Sequence, residues 1–302
     1  EEDEDREKGD DEEAAAIALV MRETLEHTGR TAALVTPDRG LARRVAARLN
    51  RWGVEVDDSA GTPLAATPLT IFLRLVAQMA ASRLGAVALL ACLKHPLAAG
   101  GMARAPFLAH VRDLDRLVLR GPAPVPGIDA LKARINVAHE RAMGRGNNDT
   151  AERIKELGPW LDGWVALLGP FAAMMAKGAH APADLLAAHV AAAEALAATD
   201  LASGADALWR GEEAESLAGV IADVATASGG FPNITGARYP GLIDGLLAGR
   251  VVRPRFGRHP RLNIWGPLEA RLQHADVMIL GGLNEGTWPL DPGKDPWMSR
   301  PM

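Results

Sequence analysis

The chain has 302 residues, with 33 Lys and Arg against 38 Asp and Glu, a formal net charge of −5. Its 48% hydrophobic and 24% charged content is that of a folded chain with a sizeable core and excludes an intrinsically disordered one. A single cysteine, Cys92, excludes a disulfide framework and any cysteine-ligated zinc or iron–sulfur centre in these residues, and points to a reducing, cytoplasmic setting. The charge is uneven: residues 1–13 hold ten acids and two bases, so the other 289 residues carry about +3.

Residues 1–12 read as an acidic, solvated linker. A helix is expected over 13–26, with Ile17, Val20, Met21 and Leu25 on one face and the acidic leader at the positive end of its dipole. Residues 31–35 (TAALV) form a short, wholly apolar run typical of a buried strand. Thr36, Pro37 and Asp38 break that strand. An amphipathic helix follows over 39–52, with Leu41, Val45, Leu49 and Trp52 on its apolar side, and Gly53 ends it. A second strand is expected over 54–56, completing an α/β unit.

Beyond about residue 61 the pattern turns helical. Segments 69–84, 86–95, 104–119, 127–141, 150–168, 171–177, 182–198, 202–227 and 239–249 read as helices or helix fragments, many of them separated by Gly and Pro. This predicts an all-α module over 62–250. Strands return from residue 251: 262–265 (LNIW), then 276–280 (DVMIL), which runs into a glycine-rich turn over 281–286. The predicted class is α/β, mostly helical overall: one domain, 13–61 plus 251–302, interrupted by a large helical insertion. The longest apolar run, 86–93, is far too short to span a bilayer, so no membrane partner is expected. The chain begins without Met and closes on a Pro-rich stretch, and reads as a piece of a longer protein.

No self-contained active site is evident. The glycine turn has P-loop spacing, but Thr287 and Trp288 stand where the phosphate-binding Lys and the Mg²⁺-binding hydroxyl are required. Asp113 and Asp115 read as a solvated helix face, and the His residues are scattered without metal-ligand spacing. No catalytic residue and no metal site are therefore predicted. Two basic clusters stand out. Arg39, Arg43 and Arg44 open one helix, and Arg253, Arg255 and Arg258 lie in a stretch without acids between Asp244 and Glu269. Such a segment suits either a phosphate backbone, which needs positive charge without fixed spacing, or a solvated connecting loop. The stretch DVMILGGLNEGTWP has two readings as well. Ligands gather at the carboxyl ends of strands in open α/β sheets, and turn amides bind phosphate; equally, the turn is structural and Trp288 a packed plug.

These pieces together resemble the second motor half of superfamily 1 DNA helicases of the UvrD/Rep type. TAALVTPDRGLARRVAARLNRWGVEVDD is similar to that family's motif IV region, VMILGGLNEGTWP to the end of motif V, and LLACLKHPLAAGG to a signature of the inserted 2B-like helical domain. The resemblance is greatest to the AddB-type subunits of bacterial AddAB helicase–nucleases, through IWGPLEARLQHADVMILGGLNEGTWP and DPWMSRPM. It implies a RecA-like 2A core and a degenerate motor. Thr36 stands at about the position of the nucleotide-contacting Arg of active family members, and 265–272 lacks the His and Lys-Gly of motif V. Thr36, Pro37, Asp38, Trp265, Glu269, Gly282, Asn284, Glu285, Gly286 and Trp288 are then remnants of helicase motifs.

The resemblance also implies partners and cofactors. The partners are single-stranded or forked DNA and an AddA-like motor subunit. Cofactors are expected in the parent complex only: ATP and Mg²⁺ in the partner motor, and an iron–sulfur cluster in a nuclease domain lying elsewhere. The expected role is a non-catalytic segment in DNA double-strand-break repair. Arg39, Arg43, Arg44, Arg253, Arg255 and Arg258 would contact the DNA backbone, while Trp265 and Trp288 line its path or pack in the core. The competing reading is a helical protein-interaction scaffold with no DNA contact; an ATPase is a weaker third.

Overall fold

The computed structural model describes residues 2–122, 125–253, 259–284 and Trp288. The strands are β1 Ala32–Val35, β2 Asp57–Asp58, β3 Thr62–Pro63, β4 Ala179–His180, β5 Ile234–Thr235, β6 Val251–Val252, β7 Leu262–Trp265 and β8 Val277–Leu280. The longer helices are α1 Glu2–Thr24, α2 Arg39–Arg51, α3 Pro68–Ala81, α4 Ala86–Lys94, α5 Arg104–Asp113, α6 Ile128–Gly144, α7 Asn148–Ala176, α8 Pro182–Ala197, α9 Gly204–Leu208, α10 Gly211–Ala227 and α11 Tyr239–Leu247. Helix dominates, beside a small parallel sheet. Among the described residues no helix is long and apolar enough to cross a membrane. The chain divides into two compact units, residues 1–61 with 253–302, and residues 62–252.

The first unit is built on a four-stranded parallel sheet in the order β2-β7-β1-β8. Strand β1 lies between β7 and β8, with Leu34 beside both Ile264 and Ile279. Its four residues are all buried, as expected of a strand flanked on both edges and covered on both faces. On one face Ala32, Leu34, Leu262 and Ile264 pack against Ile17 and Met21 of α1 and Leu41, Val45 and Leu49 of α2. On the other, Ala33 and Val35 pack with Trp265 and Ala275, while Met278 and Leu280 of β8 remain exposed. The amide and hydroxyl of Thr31 both donate to the Asp276 carboxylate at 2.8 Å, tying the starts of β1 and β8 together. These bonds hold that carboxyl below the usual carboxylate range.

Two expectations are corrected here. The acidic leader is not a linker: residues 2–12 form the first half of α1. Negative residues favour a helix N-terminus, and Asp10 and Asp11 pair with Arg44 and Arg48 of α2 at 3.0 and 2.5 Å. The second strand lies at Asp57–Asp58 rather than 54–56, because Val56 is drawn into the core beneath α2 and the following residues pair with Asn263 and Ile264.

The second unit is helical, with two short antiparallel ladders. β3 pairs with β6 where the chain enters and leaves the unit, and β4 pairs with β5. Its core gathers Phe72, Phe107, Trp160, Trp164, Phe171 and Tyr239. Helix α7 runs unbroken through Pro159 and Pro170, where the sequence suggests a break at 169–170. Both prolines are exposed, and the carbonyls they leave without a donor belong to the exposed residues Lys155 and Ala166. The opposite face buries Trp160, Trp164, Leu168 and Phe171, and that burial outweighs the lost hydrogen bonds.

Candidate functional site

Thr36, Pro37, Asp38, Gly281 and Gly282 come together at the carboxyl edge of the parallel sheet. Strand β1 ends at Val35, and the Thr36 amide still donates to the Trp265 carbonyl at 3.1 Å. Thr36 is fully buried, and its hydroxyl oxygen accepts from the Asp38 amide at 3.0 Å. Asp38 in turn caps α2, its carboxylate accepting from the amides of Gly40 and Leu41 at 2.7 and 3.1 Å. Thr36-Pro37-Asp38 is therefore a strand-to-helix turn stitched by its own side chains.

Beside it, β8 runs into Gly281 and Gly282. Gly281 is pressed against the helical face of the sheet: a Cβ there would lie 2.9 Å from Leu41 Cδ2 and 3.0 Å from Leu34 Cδ1. Gly282 has φ +73°, and its pro-Cβ position lies 3.1 Å from Thr36 Oγ1. Its amide, which a phosphate-binding turn would direct at an anion, donates to Glu13 Oε1 of α1 at 2.8 Å. The Asn284 amide donates to the Gly282 carbonyl at 2.8 Å. The turn thus carries an internal carboxylate as its anion, with Asp38 alongside and no basic side chain bonded to it among the described residues. A nucleotide phosphate brought here meets negative charge and lacks the Lys that would offset it.

The remaining motif residues are structural or lie elsewhere. Trp265 is 9% exposed and packs with Ala33, Val35 and Ala275, and Trp288 packs against the same cluster. Glu269 is exposed at the start of a short 3₁₀ turn, its carboxylate beside Gly266. Glu285 and Gly286 lie outside the described residues.

The described arginines differ in their surroundings. Arg39 pairs with Asp58, fastening the start of α2 to the edge strand. Arg44 is paired with Asp10. Arg43 is exposed, its Nε donating to the Arg39 carbonyl at 3.1 Å. Arg253 is exposed, and Arg255 and Arg258 lie outside the described residues. Among the described residues, no three His, Cys, Asp or Glu side chains are grouped to hold a metal ion. Sequence reasoning misses Glu13 altogether. Its only signal is its place in the acidic run, which does not reveal a partner near the other end of the chain. No family model matches this chain, and no curated protein matches it.

Proposed function

We propose that this chain is a catalytically silent, DNA-handling segment of a helicase–nuclease subunit acting in double-strand-break repair. The parallel-sheet unit serves as a degenerate RecA-like 2A core, the helical unit as its 2B-like insertion, and an AddA-like motor subunit as the partner. The observation that carries the silent-motor part is the Glu13 carboxylate on the Gly282 amide, at the sheet edge where a working motor would present phosphate-binding groups. Calorimetric titration with Mg²⁺–ATP is expected to give no binding heat; saturable heat overturns this part.

The DNA-handling part rests on the resemblance and on Arg253, which is exposed within the acid-free stretch and has no ion pair among the described residues. In a fluorescence-anisotropy titration with forked DNA, Arg253/Arg255/Arg258→Ala is expected to bind more weakly than wild type. A second reading, a protein-interaction scaffold, is favoured by the internal pairing of Arg39 and Arg44 and by the exposed apolar Met278 and Leu280. Absence of wild-type DNA binding at low salt decides for the scaffold.

A further inference from the structure

The helical unit holds an open groove of about 670 Å³ between α6, the wide helical turn at 114–119 that continues α5, and the start of α7. Five arginines line it, Arg116, Arg120, Arg134, Arg141 and Arg145, and no acidic side chain does. Neither basic cluster singled out in the sequence belongs to it.

Local structure explains the concentration of charge. Arg134, Arg141 and Arg145 recur at i, i+7 and i+11, which places them along one face of α6 and its C-terminal cap. At 1.5 Å per residue they extend over about 16 Å. Arg134 is a wall rather than a free cation: its Nε donates to the Val118 carbonyl at 2.7 Å and its Nη2 to the Arg120 carbonyl at 3.3 Å. This fixes the 118–120 backbone against α6 and places Arg116 and Arg120 along the opposite rim.

The sequence VRDLDRLVLR sets three Arg against two Asp, a near balance of charge whose signs the fold separates. Asp113 is taken by Arg153 of α7, and Asp115 by Lys94 of α4 at 2.6 Å. The Lys94 hydrogen bond holds the Asp115 carboxyl below its usual range, and Arg120 and Arg116 add to that effect. Arg116, Arg120, Arg141 and Arg145 make no ion pair and donate no side-chain hydrogen bond to protein among the described residues. Four exposed guanidinium groups without protein partners among the described residues, along a groove with Leu117 and Val137 among its apolar lining, form a surface of one sign that suits an anionic chain.

We propose that this groove binds the sugar–phosphate backbone of a single nucleic-acid strand. Guanidinium forks match phosphate oxygens in pairs, and the arginines spaced along α6 offer successive contacts to the backbone of one strand. The groove deepens the DNA-handling reading by giving the strand a path through the helical unit. It rests on that reading for the choice of nucleic acid over an acidic protein segment, since either polyanion satisfies the arginines.

The test is a fluorescence-anisotropy titration of the whole chain with a labelled single-stranded oligonucleotide, at salt concentrations from about 50 to about 200 mM. The variant Arg116/Arg141/Arg145→Ala leaves Arg134 in place and removes no contact that holds the fold. It is expected to weaken binding at least tenfold and to make the logarithmic salt slope shallower by about 2, for three phosphate contacts at about 0.7 each. Arg116/Arg141/Arg145→Lys is expected to keep most of the slope. Should the Ala variant unfold, the single reversal Arg141→Glu reads the same loss.

Wild-type affinity and slope in the Ala variant, with binding lost in Arg253/Arg255/Arg258→Ala, overturn the groove but leave DNA handling standing. No binding by wild type at low salt overturns both. Polyglutamate binding more tightly than the oligonucleotide overturns the choice of nucleic acid and assigns the groove to an acidic protein segment.

Discussion

Glu13 accepts the Gly282 amide proton at 2.8 Å although 269 positions separate the two residues. The bond latches the first helix onto the turn after the last strand of the sheet, so α1 is an integral layer of the sheet unit. A hydrogen bond to a charged acceptor contributes about 1.5–3 kcal/mol, and the partial exposure of Glu13 lowers that. Glu13→Ala is expected to destabilise the unit by about 1–2 kcal/mol, and Glu13→Gln, which retains an acceptor, by about half as much. Hydrogen exchange at the Gly282 amide is the direct readout. Equal protection in wild type and Glu13→Ala rules out the latch.

Gly100 and Gly101 both have positive φ, +56° and +81°, yet they differ in their surroundings. A Cβ on Gly100 would lie 2.9 Å from Phe107 Cε2 and 3.3 Å from Trp164 Cβ, whereas one on Gly101 meets nothing within 4 Å. The amides of Ala99 and Gly100 both donate to the Leu196 carbonyl at 2.8 Å, so the turn cannot back away without releasing α8. Gly101→Ala is expected to cost about 1 kcal/mol from backbone strain alone. Gly100→Ala adds overpacking of about 1–3 kcal/mol. Urea midpoints of the two variants measure the difference, and equal midpoints contradict the packing argument.

The elements most legible in the sequence are those whose signal is local. TAALV and LNIW are short apolar runs bounded by breakers, and both strands appear where the run ends. Thr36-Pro37-Asp38 is legible as the break after β1, and the structure adds that Asp38 caps α2. The break expected at 169–170 is absent because the buried face of α7, a tertiary property, overrides proline. The candidate site was partly legible for the same reason: the strand ends and glycines could be read, the Glu13 latch could not. Nor could the arginine groove, since Asp113 and Asp115 stand beside Arg112 and Arg116 in sequence but are claimed in space by Arg153 and Lys94.

The pairing of Asp10 with Arg44 and Asp11 with Arg48 makes the acidic leader a competitor for any anion that approaches α2. The side chains are 25–62% exposed, so each pair contributes only about 0.5 kcal/mol to stability. Asp10/Asp11→Asn is therefore expected to change stability by less than about 1 kcal/mol. If α2 faces the DNA path, the freed arginines steepen the logarithmic salt slope by about 1–2. Stability measured by urea and slope measured by anisotropy separate the two effects, and an unchanged slope removes Arg44 and Arg48 from the DNA path.

His189 carries the clearest pH dependence. It is fully buried, its ring stacked on Phe171 with centroids 4.9 Å apart. The Leu73 carbonyl, 2.9 Å from Nε2, can only accept, so Nε2 holds the proton; Nδ1 then accepts from the Tyr239 hydroxyl at 3.0 Å. The Tyr239 bond requires the neutral ring, whereas the Leu73 bond favours the charged one; burial outweighs it and pushes the His189 pKa from 6.5 down to about 4. Below pH 6.5 the unfolded chain takes up a proton that the folded chain refuses until about pH 4. Stability from this residue is thus complete above pH 6.5 and falls as pH drops towards 4, by on the order of 3 kcal/mol in all. His189→Gln preserves a donor and an acceptor without titrating. Urea denaturation of both proteins between about pH 7.5 and about pH 4.5 is expected to show a steeper loss in wild type, the difference between the curves isolating His189 from the carboxylates. Parallel curves mean that the imidazole titrates alike in the folded and unfolded chain, and then burial does not hold it neutral.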